Sequence, residues 1–141
     1  MSKTNLKTRS GNRTIILMDG KEVGLIQSVR MSDDYSPEPA SGIGDIHAVE
    51  YVPSMARHNI TVQQMCLNTN TMRSLGVSAA NGDDMLRGQV FDFLVVSKDD
   101  GQILRKYEGC SYASGEAEVQ KHAIVMATGQ FNALNVSFDG I

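Results

Sequence analysis

The chain has 141 residues, with 13 Lys and Arg against 16 Asp and Glu and a formal net charge of −3 at pH 7. At 41% hydrophobic and 21% charged it has the composition of one globular domain, and its acidic balance argues against a nonspecific coat for nucleic acid or a membrane surface. The longest apolar runs, Ile15 to Met18, Phe93 to Val96 and Ala123 to Ala127, fall far short of the ~20 residues that a membrane-spanning helix needs.

Residues 1–13 carry Lys3, Lys7, Arg9 and Arg13 without an acid and lack the apolar stretch of a secretory signal, which predicts a cytoplasmic product. They form a basic arm ahead of a single acidic domain, residues 14–141. Such an arm is either a solvated tail or a segment that docks on an acidic neighbour, for which a second copy would serve. Residues 14–18, the turn pair Asp19-Gly20 and residues 22–31 then read as a β-hairpin. Residues 32–45 turn polar and rich in breakers, with Asp33, Asp34, Pro37, Pro39, Gly42 and Gly44, and predict a long exposed loop. A third strand is expected over 46–52, ending at Pro53, and a fourth over 58–67, where Ile60, Val62, Gln64 and Cys66 alternate with Thr61, Gln63, Met65 and Leu67.

Asn68 and Thr69 suit a helix N-cap and Gly76 a C-terminal stop, so one short helix is expected around residues 71–75, with loop over 78–87. Residues 89–96 and 102–108 flank Asp99-Asp100-Gly101 in the clearest hairpin of the sequence. Residues 116–127 fit either a helix, which propensity slightly favours, or a strand with Glu116, Glu118, Gln120 and His122 on one face. Residues 130–138 close the chain as a strand. The reading is mainly β with one or two helices and no internal repeat.

Catalytic signals are weak. His47, His58 and His122 lack metal-ligand spacing, and no phosphate-cradling glycine loop occurs, so neither a metal nor another cofactor is expected. Asp45 and His47 share a strand face, and Gly109-Cys-Ser-Tyr-Ala113 faintly echoes a nucleophile elbow without its last glycine. A small hydrolase would have to use Asp45, His47 or Ser111. Cys66 and Cys110 read as reduced structural thiols, with an intersubunit disulfide as the alternative. If residues 116–122 are a strand, Glu116 and Glu118 form a carboxylate row that a symmetric ring would repeat.

The length, the opening Arg13-Thr-Ile-Ile-Leu-Met-Asp-Gly-Lys-Glu-Val23, the loop leading to Ile46-His-Ala-Val-Glu-Tyr-Val52 and the order of the later hairpins resemble the tail tube proteins of contractile-tailed bacteriophages. Type VI secretion tubes and non-contractile tail tubes are similar folds. The resemblance implies a β-sandwich or barrel-like domain with long β-hairpins and one short flanking α-helix. It also implies hexameric rings stacked into a hollow conduit for DNA, in a virion tail assembled in the host cytoplasm. Strands 22–31 and 46–52 would make one hairpin arm, and residues around 107–112 and 116–127 the other, which favours strand over helix after Gly115. The loop 32–45 would meet the adjacent ring, and Lys3, Lys7, Arg9 and Arg13 would help to pack subunits. Glu116 and Glu118, then Asp33, Asp34, Asp45 and Glu50, become candidate lumen residues whose carboxylates repel DNA phosphate. Implied partners are further copies of the chain, a sheath protein, a tape-measure protein, a baseplate and a tail terminator. Another phage tail module, such as a completion, baseplate or adaptor component, is the alternative, and on either reading the protein is not an enzyme.

Overall fold

The computed structural model describes residues 9–22, 25–66 and 81–141. After a turn of 3-10 helix at Gly11–Arg13, the described elements in chain order are β1 (Thr14–Met18), β2 (Lys21–Glu22), β3 (Ile26–Asp34), β4 (Glu38–Ala40), β5 (Glu50–Val52), β6 (Arg57–Met65), α1 (Gly82–Leu86), β7 (Phe91–Ser97), β8 (Ile103–Glu118), β9 (Met126–Ala133) and β10 (Asn135–Phe138). The expected helix at 71–75 lies outside the described residues. The described helix, α1, falls within the stretch read as loop.

All pairing between these strands is antiparallel, in the order β2-β1-β7-β8-β9-β6-β3 with β10 also beside β8, while β4 and β5 make a separate two-stranded ribbon. β8 joins two layers. Its first half pairs with β7 and β10, and its second half, from Ser111 to Glu118, pairs with β9. The change falls at Gly109, whose φ of +65° favours glycine and whose absent side chain leaves room for Leu134, the residue that separates β9 from β10. One core lies between the layers. Met18, Phe91, Phe93, Val95, Leu104, Tyr107 and Cys110 enter it from one side, Ile60, Val62 and Phe131 from the other, and the Phe91 and Phe131 rings meet edge to face with centroids 5.3 Å apart. The predicted mainly β sandwich is therefore the observed architecture.

Both Asp-Gly turns form where the sequence places them, but the second arm of the first hairpin is only Lys21–Glu22, because Ile26–Asp34, expected to continue it, pairs with β6 and not with β1. Asp19 and Gly20 both adopt positive φ, 56° and 72°, as a two-residue turn between twisted strands requires. Three expectations are corrected. Residues 32–45 are not one loop, because Ser32–Asp34 complete β3 and Glu38–Ala40 pair with Glu50–Val52. The expected strand 46–52 shrinks to β5, and the partner of β3 is β6 rather than 46–52. Residues 116–127 are neither one helix nor one strand, since Glu118 pairs with Met126 across a reversal in which His122 takes a φ of 62°.

Burial raises both the Tyr107 phenol, from 10.0 to about 12, and the Cys110 thiol, from 9.0 to about 12. Each group is then protonated in the folded protein at a pH where the unfolded chain has lost the proton. Their contribution to stability is complete below about pH 9 and is lost as pH rises towards about 12. We expect the urea midpoint to be level from pH 7 to 8.5 and to fall by pH 10.5, with a shallower fall for Tyr107→Phe. A midpoint that stays level to pH 11 contradicts this burial.

Candidate functional site: a polar sheet face between two free edges

β3, β6, β9 and β8 form a four-stranded sheet whose two faces differ, because alternate residues of a strand point to opposite sides. The inner face carries the cross-strand rows Met31, Ile60, Phe131, Tyr112 and Val29, Val62, Gly129, Gly115. The outer face carries three complete rows: Ser28, Gln63, Thr128, Glu116; Arg30, Thr61, Gln130, Ser114; and Ser32, Asn59, Asn132, Ser111. Every one of these residues is exposed or half-exposed, and all but Arg30 and Glu116 are Ser, Thr, Asn or Gln. Beyond the rows, Asp34 faces Arg57 at one end and Glu118 faces Met126 at the other. Arg30 and Arg57 are thus set against Asp34, Glu116 and Glu118, on a wall that is chiefly amide and hydroxyl. Ser28 donates to Gln63 Oε1 at 3.3 Å and Ser114 to Gln130 Oε1 at 3.1 Å, so neighbouring strands are also tied across this face.

Both margins of the sheet are open. Among the described residues β3 has no strand on its outer side, and neither does the Ser111–Glu118 half of β8. The side of the sandwich between β1 and β3 is a groove of about 630 Å³ lined in part by Ile15, Ile16, Leu25, Ile26, Val29 and Met31.

A buried polar clasp fixes the β3 margin. Asp33 Oδ1 lies 2.7 Å from His58 Nδ1, the Tyr107 hydroxyl donates to Asp33 Oδ1 at 3.2 Å, and Arg105 donates to that hydroxyl at 2.9 Å. The Arg105 guanidinium is also 3.6 Å from Asp33 Oδ2 and stacks 4.3 Å from the centre of the Phe138 ring. These side chains come from β3, β6, β8 and β10, so one carboxylate links both layers. Asp33 is therefore not a wall residue: the alternation that turns Asp34 outward turns Asp33 inward, beside the buried His58.

The chain between β3 and β6 leaves the sheet as an arm. Ser54 N donates to Tyr35 O at 3.0 Å and the Ser54 hydroxyl to Ser36 O at 2.7 Å, after which the β4–β5 ribbon runs to a tip where Gly42 N donates to Asp45 Oδ2 at 2.8 Å. This arm is strongly apolar for an exposed segment: Ile43 is fully exposed, Ile46 is 93% and Val49 77% exposed, and Met55 lies open near its base. Asp45 and Glu50 belong to the arm and not to the polar face. At the opposite end of the sheet the β8–β9 reversal exposes Val119 and Ile124.

The remaining candidates are scattered. Arg13 forms an ion pair with Asp99, and Arg9 lies against Gly140 and is the least of the causes that lower the Asp100 pKa, the first being the hydrogen bond from Gln102 N. Of the two described cations of the basic arm, Arg13 thus sits on its own chain's β7–β8 turn and Arg9 beside Gly140, while Lys3 and Lys7 lie outside the described residues. Cys66 and Cys110 are free thiols, and Cys110 is sealed in the core, where it donates to Tyr107 O at 3.6 Å. Asp45 and His47 on the arm and Ser111 on β8 share no hydrogen bond, so no hydrolytic arrangement forms from them. Among the described residues no group of three or more His, Cys, Asp or Glu is placed to hold a metal ion.

A mainly β sandwich with two margins unpaired among the described residues, a polar outer face and a projecting apolar arm has the features of a structural protein. The comparisons agree. The family described as Phi812 tail tube protein matches residues 3–137. Virion protein 5 of Enterococcus phage phiEF24C is 25% identical over 130 residues, covering 92% of this chain and 92% of that protein. Among solved structures, the tail of an empty gene transfer agent particle with C6 symmetry is similar at a TM-score of 0.70 and 12% identity, over 94% of this chain and all of that one. The extended sheath–tube complex of the PVC extracellular contractile injection system is similar at 0.67 and 13%, over 99% of this chain and all of that one. The fold is that of tail tube proteins, and the chain belongs to the Phi812 tail tube protein family. It is a structural protein of the virion tail and not an enzyme.

Asp33→Ala leaves His58, Arg105 and the Tyr107 hydroxyl without their common acceptor. We expect a loss of about 2–4 kcal/mol in unfolding free energy, measured by urea denaturation. A loss below about 0.5 kcal/mol would remove the clasp from the account.

Proposed function

We propose that copies of this chain close side by side into six-membered rings, and that the rings stack into a hollow tube lined by the polar face, through which DNA passes. The observation that carries this reading is the pair of free margins on one sheet. β3 and β8 run antiparallel to one another across it, so the β3 margin of one copy and the Ser111–Glu118 margin of the next form an antiparallel ladder by simple rotation about an axis. That contact uses different surfaces on the two partners, and such contacts make a ring when the rotation closes. Six copies of a four-stranded sheet would give one continuous barrel, with the apolar groove beside β3 covered at each seam. The gene transfer agent tail carries C6 symmetry, which supports the number six.

Stacking follows from the two ends of the sheet. The apolar arm leaves at the Asp34–Arg57 end and the Val119–Ile124 reversal lies at the Glu118–Met126 end, so rings joined head to tail bring one against the other. The side turned away from the lumen would meet a sheath, and tape-measure, baseplate and terminator proteins would meet the bore and the two ends of the tube. The similarity to a chain of a sheath–tube complex supports the first of these contacts.

A wall of amides and hydroxyls suits a conduit. It offers hydrogen bonds that water satisfies equally well, and its two arginines are outnumbered by three carboxylates, so it cannot hold DNA by replacing condensed counterions. The carboxylate-lined channel expected from sequence becomes a mostly neutral one, with Asp34, Glu116 and Glu118 as its acidic members.

Two outcomes test these assignments. Ile43→Asp with Ile46→Asp should leave rings intact by negative-stain electron microscopy while shortening or abolishing tubes, and tubes of normal length would remove the arm from stacking. Asn59→Lys with Gln63→Lys should leave tubes intact but make them retain DNA in an electrophoretic retardation assay and lower infectivity of a phage built with them. Unchanged infectivity would place the polar face elsewhere than the lumen.

A further inference from the structure

The geometry points to a charge pair that sets the register between neighbouring copies: Arg30 of one copy binds Glu116 of the next across the seam. The inference rests on the ring reading above and adds to it the interaction that selects one sliding position of the ladder. A ladder made only of backbone hydrogen bonds between polar strands is poorly specified, because displacement by two residues restores every hydrogen bond and leaves the same faces inward and outward.

The two charges are placed for this role. Arg30 projects from β3, at one margin of the sheet, and Glu116 from β8, at the other, both on the outer face. Both are exposed, and among the described residues neither side chain has an ion-pair or hydrogen-bonded partner, unlike the pairs Arg13–Asp99, Arg105–Asp33 and Lys106–Glu108. Between them within one copy stand Thr61 or Gln63 on β6 and Gln130 or Thr128 on β9, too wide a gap to bridge. When a second copy is set beside the first, the gap disappears.

Arg30 belongs to the row that ends at Ser114, one step along the same face from Glu116. With no displacement between copies, Arg30 lies opposite Ser114 and diagonal to Glu116, within reach of a guanidinium. With a displacement of two residues, which brings strands into the tilt that a closed barrel requires, it lies directly opposite Glu116. A displacement in the other sense carries Arg30 towards Ser111, the outer-face residue on which the next row ends, and away from Glu116 and Glu118. The pair therefore favours one sense of tilt and one register. It also places the arginine against a carboxylate and so leaves the seam without a free cation facing the bore.

The experiment uses the full-length chain with charge reversals at the two positions, singly and together, and scores ring and tube yield at fixed protein concentration by negative-stain electron microscopy. R30E and E116R should each lower the yield by about tenfold or more, since like charges would face each other at all six seams, and R30E combined with E116R should return it to within about threefold of the wild type. Circular dichroism melts check that each variant is folded. Where a reversal is not, R30Q and E116Q replace it, and each should give a smaller loss that is not additive in the double variant. Rings at wild-type yield in both single variants, or a combined variant no better than either single one, overturn the pair while leaving the ring reading in place. A folded wild-type chain that forms no ring on a preassembled tail baseplate defeats the ring reading and the pair with it.

Discussion

Backbone N–H and C=O groups along a strand must be hydrogen-bonded, and two stretches of this sheet, β3 and the second half of β8, have one side that faces no strand among the described residues. Proteins that stay monomeric often blunt such margins with a proline, which cannot donate to a ladder. Here β3 runs through nine residues, Ile26–Asp34, eight of them paired with β6, without a proline, and the β8 half from Ser111 to Glu118 likewise has none; each stretch carries one register shift, between Ile26 and Ser28 and between Tyr112 and Ser114. The rest of the structure serves those open margins. The clasp around Asp33 ties β3 to the opposite layer, so the margin is held at a fixed place instead of fraying. The core beneath supplies rigidity through Ile60, Val62 and Phe131 packed on Phe91, Phe93 and Tyr107.

The same alternation that builds the core builds the polar outer face proposed to line the conduit. Along β6 the buried His58, Ile60, Val62 and Gln64 interleave with Asn59, Thr61 and Gln63, so a single strand carries a packing face and a water-facing wall. Neutral polar groups are well matched to a surface past which a polyanion must move: basic groups would retain it and a dense carboxylate lining would oppose its entry. Two groups of the apolar residues that remain exposed lie on the arm and on the β8–β9 reversal, at opposite ends of the sheet, and others, Leu86 and Leu134 among them, lie elsewhere. In the proposed assembly, lateral closure and axial stacking would use chemically distinct surfaces, backbone margins for one and apolar side chains for the other.

Much of this was legible in the sequence where a local rule acts alone. Asp19-Gly20 and Asp99-Asp100-Gly101 announce their turns, and the alternation over 58–65 announces a half-buried strand. Residues 116–127 were not legible, because their reversal uses His122 at positive φ in place of a glycine or asparagine, and because pairing with β9 overrides the helix propensity of Glu116-Ala-Glu-Val-Gln. The division of 130–138 into β9 and β10 depends on Leu134 meeting Gly109, a contact between distant residues. For the wall, sequence reasoning weighted charge and so selected carboxylates. Asp34, Glu116 and Glu118 do lie on the outer face, but Asp33 turns inward and Asp45 and Glu50 sit on the arm. The more numerous Ser, Thr, Asn and Gln positions carried a signal, the polar half of each alternation. Only the registers of β3, β6, β9 and β8 bring them into one surface.

The most direct test of the account is a cryo-electron microscopy reconstruction of tubes assembled from the wild-type chain. The account predicts six copies per ring, β3 of each copy hydrogen-bonded to the Ser111–Glu118 half of β8 in the next, and the face bearing Asn59, Thr61, Gln130 and Asn132 turned to the lumen. A tube in which that face points outward, or in which β3 stays unpaired, would contradict it.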